Sequence, residues 1–144
     1  TKRALRYEAQ EFRSLILENV EGTLKVKALP TEAQFSTVNG ILVHDFDGDT
    51  TQDILIAGNR FEAEVETTRA DSSPGALFLG GQEAMTWTKS PIVESGFFVP
   101  YNVKAVQAIR LGKDGTIGIL VGVNDGELKL YQAASKSRIQ AVVQ

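Results

Sequence analysis

Along Thr23 to Leu29, Leu24, Val26 and Ala28 alternate with Lys25 and Lys27, a period of two that predicts a strand with one buried and one wet face. Phe12 to Glu18 reads as its hairpin partner across the turn residues Asn19 to Gly22. Ile41 to His44 and Ile54 to Ala57 are apolar runs rich in β-branched residues and too brief for helices. Ala76 to Leu79 and Met85 to Thr88 form a further strand pair joined at Gly80-Gly81. A meander follows in Val103 to Leu111, Thr116 to Val123 and Glu127 to Tyr131. Its separators, Lys113-Asp114-Gly115 and Asn124-Asp125-Gly126, both carry the Asp-Gly pair that accepts the positive φ angles of tight hairpins. Only the ends suggest helix, in Arg3 to Glu11 and Ala133 to Val143, and the second suits a final strand equally. Short strands, turn signals every 8–12 residues or so and no helical crossovers predict an all-β chain: a sandwich, a barrel or a propeller.

Between Ile41–His44 and Ile54–Ala57 lies DFDGDTTQD, with carboxylates at Asp45, Asp47, Asp49 and Asp53. Side chains spaced two apart on a tightly curled backbone converge, and anionic groups held that close repel unless a hard cation sits among them. By analogy with calcium loops, Asp45, Asp47 and Asp49 supply side-chain oxygens, Thr51 its backbone carbonyl and Asp53 the closing carboxylate. The expected ion is Ca2+. The loop is no EF-hand: Thr50 stands where the sharp turn wants Gly, Ile56 where the closing Glu would be, and a strand follows instead of a helix. The plainer alternative is a solvated acidic turn.

Composition narrows the partners. The chain has 144 residues, 42% of them hydrophobic and 23% charged, which is ordinary for a globular domain or a piece of a larger one. Its formal charge is −3, and no basic run exceeds the Lys2–Arg3 pair, so nucleic acid is not expected as a partner. The absence of cysteine rules out disulfides and thiolate metal sites. No apolar run approaches the roughly 20 residues of a membrane-spanning helix, and the start, TKRALRYEAQ, does not read as a signal peptide. Lacking an initiator Met, the sequence reads as a processed or excised fragment.

The segment ILVHDFDGDTTQDILIAGN resembles the FG-GAP, or VCBS, repeat: an apolar strand, an acidic loop of the DxDxDGxxD type, then a second apolar strand. SLILENVEGTLKVKALPTEAQFSTVNG before it, and EVETTRADSSPGALFLG and SGFFVPYNVKAVQAIRL after it, are similar to the neighbouring stretches of bacterial FG-GAP proteins that often also carry an ASPIC/UnbV segment. The likeness covers about residues 7–131. It implies antiparallel four-stranded β-propeller blades, as in the head of integrin α-subunits. Residues 12–29 would be the outer half of one blade, 40–89 a complete blade with the calcium loop, and 103–132 part of the next. The whole of 1–144 would thus be a single fragment of an incomplete propeller, about two to two and a half blades. Because propellers close with about four to eight blades, open sheet edges would remain, and self-association through them is expected.

Catalytic readings are weaker. His44, the single His, could serve as a base or ligand, but at the end of an apolar strand it reads as structural or as a neighbour of the loop. Glu62, Glu64 and Glu66 alternate, which places three acids on one strand face; they or Asp71 could lend the cation a further ligand, or form a glycosidase pair. No GxSxG, HExxH or phosphate loop is present. Phe97-Phe98-Val99-Pro100-Tyr101 and Trp87 read as core, with an exposed aromatic binding platform as the alternative. The expected function is a non-catalytic calcium-binding module of an extracellular, cell-surface or periplasmic protein that binds another protein or a polysaccharide. The competing expectation is a polysaccharide-active enzyme, or its accessory propeller, using acids such as Glu64 and Glu66.

Overall fold

The computed structural model describes residues 5–135 and 138–142. The chain is all-β, with antiparallel sheets that do not close on themselves. A hairpin of β1 (Leu15–Val20) and β2 (Thr23–Ala28) comes first, followed by a short 3-10 turn at Thr31–Gln34. β3 (Val38–His44), β4 (Asp53–Gly58), β5 (Ala76–Gly80) and β6 (Trp87–Lys89) then form a four-stranded sheet in chain order. One helical turn, α1 (Ile92–Ser95), leads to the second four-stranded sheet, of β7 (Val103–Leu111), β8 (Thr116–Val123), β9 (Lys129–Ser135) and β10 (Arg138–Ala141). No helix among the described residues is long and apolar enough to cross a membrane.

The first sheet forms the middle layer, and β4 shows why. Its side chains alternate between two cores, as the pleat requires. Leu55 and Ala57 join Leu77 against the second sheet, where Phe97, Val99, Val103, Ile119, Val121, Tyr131 and Ile139 are buried with them. Ile54 and Ile56 join Ala76 and Phe78 on the opposite face, against Leu29 and Ala33 from the end of the hairpin and the 3-10 turn. An edge or half-wet strand would carry polar residues on one face; β4 is buried throughout and carries none between Asp53 and Gly58. The two large sheets approach closely where β3 crosses β7. A Cβ on Gly40 would lie 2.3 Å from Val106 Cγ2, so only glycine fits there.

Several boundaries and environments differ from the sequence reading. Residues 5–11, part of the expected Arg3–Glu11 helix, form no regular element, and Leu5 and Tyr7 are exposed; residues 3 and 4 lie outside the described residues. A helix of that length gains little without an apolar surface to pack on. The Ala133–Val143 segment contributes β10 instead of a helix, pairing with β9 from Arg138 to Ala141; residues 136, 137 and 143 lie outside the described residues. Leu24 and Val26, expected in a buried face, are 61% and 59% exposed. The β1–β2 hairpin forms, with its first strand at Leu15–Val20 instead of Phe12–Glu18 and its turn at Glu21-Gly22, but the face bearing these side chains has no layer over it among the described residues. Glu62, Glu64 and Glu66, expected to alternate on one strand face, lie in no strand: the stretch turns near Val65-Glu66, and the isolated bridge from Arg60 to Ala70 closes it off. Met85 has φ +58°, which no strand residue can adopt, so β6 starts two residues later, at Trp87.

Candidate metal centre

The acidic loop connects β3 to β4, neighbours that run antiparallel from the pair His44–Asp53 outward. Eight residues turn the chain between them, and the acidic side chains themselves organise the turn. Asp45 accepts from the Gly48 amide at 2.6 Å through one oxygen and from the Thr50 amide at 2.9 Å through the other. Asp47 accepts the Asp49 amide at 3.1 Å and Asp49 the Thr51 amide at 2.7 Å, each a two-residue reach typical of Asp in turns. Two residues sit in the left-handed region, Gly48 at φ +82° and Thr50 at φ +73°. Glycine takes that conformation freely, whereas a β-branched Thr is strained there. The departure from a glycine at position 50 is therefore a physical oddity of this loop, and the backbone shape is kept in spite of it.

The structure brings Asp45, Asp47 and Asp49 together: one oxygen from each lies within 4.8 Å of the others. Asp47 Oδ2 and Asp49 Oδ2 accept no protein hydrogen bond among the described residues. The donor set is entirely hard oxygen, with no Cys or His in the cluster, which suits an alkaline-earth cation better than a soft metal. Electrostatics report the same crowding. Desolvation raises the Asp47 carboxyl above its ordinary value, the Asp49 amide pulls it down, and the charges of Asp53, Asp49 and Asp45 push it up again. For Asp45, desolvation also acts upward, but the amides of Thr50, Gly48 and Asp49 and the neighbouring His44 outweigh it and leave the carboxyl below its usual range.

Asp53 and Thr51 hold the end of the loop in place. Asp53 is fully buried at the start of β4 and lies outside the three-carboxylate cluster. Its two oxygens accept the Phe46 amide at 2.7 Å and the Gly80 amide at 2.8 Å, tying the loop's beginning to its end and both to β5. Thr51 presents its methyl group to Gly80, where a Cβ would come within 2.5 Å of it and 2.6 Å of the Gln52 carbonyl. That carbonyl also accepts the Trp87 indole N–H at 3.1 Å. The end of the loop is thus clamped by β5 and β6 through Gly80 and Trp87. Nothing in local sequence signals that role, because both residues lie about 30 positions further along the chain.

His44 is exposed at the end of β3, its ring packed edge-on against Phe46 at 5.3 Å between centroids. The later acids do not reach the loop's cluster. Glu62 instead accepts from the amides of Asn102 and Asn124 and from Lys104 Nζ, joining the long β4–β5 connection to the second sheet. The Asn102 hydrogen bond and the Lys104 ammonium hold its carboxyl below the usual range. Glu64 and Glu66 are exposed, and Asp71 pairs with Arg69 at 3.0 Å. Of the aromatic stretch, Phe97 and Val99 are core while Phe98 and Tyr101 are exposed.

Compared with protein-family models, with curated proteins and with solved structures, the chain matches none of them.

Proposed function

We propose that this chain is a non-catalytic, calcium-binding β-propeller module of an exported protein, extracellular, cell-surface or periplasmic, that binds a protein or polysaccharide. The observation that carries the reading is the meeting of Asp45, Asp47 and Asp49 within one ligand sphere in a turn joining adjacent strands. Those three would hold the ion, with the Thr51 carbonyl and Asp53 at the end of the loop. Calcium's part is electrostatic: it neutralises the negative charge gathered around Asp47, and stiffens the connection between β3 and β4.

The propeller assignment rests on the likeness of residues 7–131 to FG-GAP repeats and is in keeping with the topology. Each four-stranded sheet is a meander in chain order, which is how a blade is built, and one sheet stacks face to face on the next. On this reading residues 12–29 are the outer half of one blade, 40–89 a complete blade, and the expected partial blade at 103–132 becomes a full one with β10 as its fourth strand. The sheet edges left open by so few blades are where self-association would occur.

Calcium affinity in extracellular modules falls at about 10⁻⁴–10⁻³ M. At about 10 mM calcium, mass action then stabilises the fold by about 1.4–2.7 kcal/mol. Thermal melts with calcium and with chelator should differ by several degrees, and Asp47→Asn should abolish the difference. Equal melting temperatures in calcium and in chelator would remove calcium from the account.

A further inference from the structure

A groove of about 400 Å³ runs between the first hairpin and the β5–β6 turn, lined by Lys27, Pro30, Thr31, Glu32, Met85 and Trp87 among others. We propose that it is a binding site for a neutral saccharide, whose ring packs on Trp87 while its hydroxyls pair with Lys27, Thr31 and Glu32. This names the ligand class within the binding role proposed above, and rests on that reading only in taking the chain as a ligand-binding module.

Both walls are held in place before any ligand arrives. On one side, the Gln34 carboxamide fixes the 3-10 turn, donating to the Ser14 and Leu29 carbonyls and accepting the Ser14 amide. On the other, the Thr86 hydroxyl donates to the Glu83 carbonyl at 2.6 Å and the Gly81 amide to the Thr86 carbonyl at 2.8 Å. That turn holds Met85 at φ +58°, a conformation unfavourable for a side-chain-bearing residue and maintained by its surroundings. A pre-formed groove of this size falls within the range of small-ligand sites, about 300–1,000 Å³.

The chemistry selects the ligand. Trp87 spends its indole N–H on Gln52 and packs part of its ring against the Ile54–Phe78 core, so what it leaves to the groove is its remaining apolar ring surface. Lys27 and Glu32 form no ion pair with any other side chain among the described residues, and their charges cancel. A strongly charged ligand would leave one of them opposed. A pyranose matches the set, having an apolar C–H face and a rim of hydroxyls that donate to Glu32 and accept from Lys27. An extended peptide fits less well. The strand at this edge, β6, is three residues long and carries Lys89, and short, charged edges discourage strand addition.

Trp87 is the single Trp, so intrinsic fluorescence reads the groove directly. The full chain would be titrated with cellohexaose, maltohexaose, xylohexaose and mannohexaose, and with hexagalacturonate as the charged counterpart, in calcium and again in chelator. Saturable change with at least one neutral hexasaccharide at millimolar or lower concentration is expected, weakened about tenfold when Lys27→Ala and Glu32→Ala are combined. Because Lys27 is exposed, Glu32 only half-buried and neither has a side-chain partner among the described residues, the double variant should melt as the parent does. Three results would each overturn the assignment: no saturable change with any neutral sugar, unaltered binding in the double variant, or tighter binding of hexagalacturonate. Sugar binding that persists with no calcium-dependent melting shift would overturn the calcium reading alone. A melting shift without sugar binding would do the reverse.

Discussion

Asp47 carries the clearest residue-level consequence of desolvating a carboxyl in the loop and crowding it with charge. Its folded carboxyl is raised above the ordinary value, so the folded state holds that proton more readily than the unfolded chain. The stability it contributes is therefore present at low pH and is lost as pH climbs through the raised value. Without a cation, Asp47→Asn should leave stability unchanged near pH 3 and raise it increasingly toward about pH 7, read from urea midpoints across that range. The amide oxygen can still accept the Asp49 N–H, so geometry is retained. A variant less stable than the parent at neutral pH in chelator would mean that the crowded charges are not what the loop resists.

At the scale of the element, β3, the loop, β4 and the start of the β5–β6 turn act together. Thr50→Gly should relieve left-handed strain and stabilise the chain by about 0.5–1 kcal/mol, with or without calcium, as measured by chemical denaturation. Asp53→Ala should behave differently from any change at Asp47. It leaves the Phe46 and Gly80 amides unpaired beside a buried site, and should cost about 2–4 kcal/mol in chelator as much as in calcium. Parity between the two conditions is the test, since a ligand-only role would confine the loss to calcium. The loop's position and its converging carboxylates were legible from spacing alone. The division of labour within it was not: Asp53's involvement with Gly80 depends on a strand 27 residues away.

Across the whole molecule, the sheets are registered by close backbone approach and by a polar clamp. Gly40 lets β3 lie directly on Val106 of β7, and Asn39 donates from β3 to the carbonyls of Asn59 and Val103. Gly40→Ala should force the layers apart and cost about 1–3 kcal/mol, with the calcium-dependent melting shift retained because the loop is at the far end of β3. Loss of the shift in that variant would show that loop geometry depends on inter-sheet packing. On the other side of the first sheet, the exposed Leu17, Leu24 and Val26 leave an apolar face of the hairpin uncovered among the described residues, and sequence alternation gave no warning of it. Alternation states which side chains share a face; whether anything lies over that face is a property of the assembled layers.

By itself, the order of residues determined most strand pairs, the Lys113-Asp114-Gly115 turn and the convergence of three of the four loop aspartates. Each of these is a local matter of side-chain period, positive-φ tolerance and spacing along a bend. Only the tertiary structure decided that β4 would be buried on both faces, that Asp53 would serve two distant amides and that Glu62 would tie a loop to the second sheet. It also decided that Lys27, Glu32 and Trp87 would meet in one groove. Those outcomes depend on contacts between residues tens of positions apart, and such contacts are set by how the layers stack.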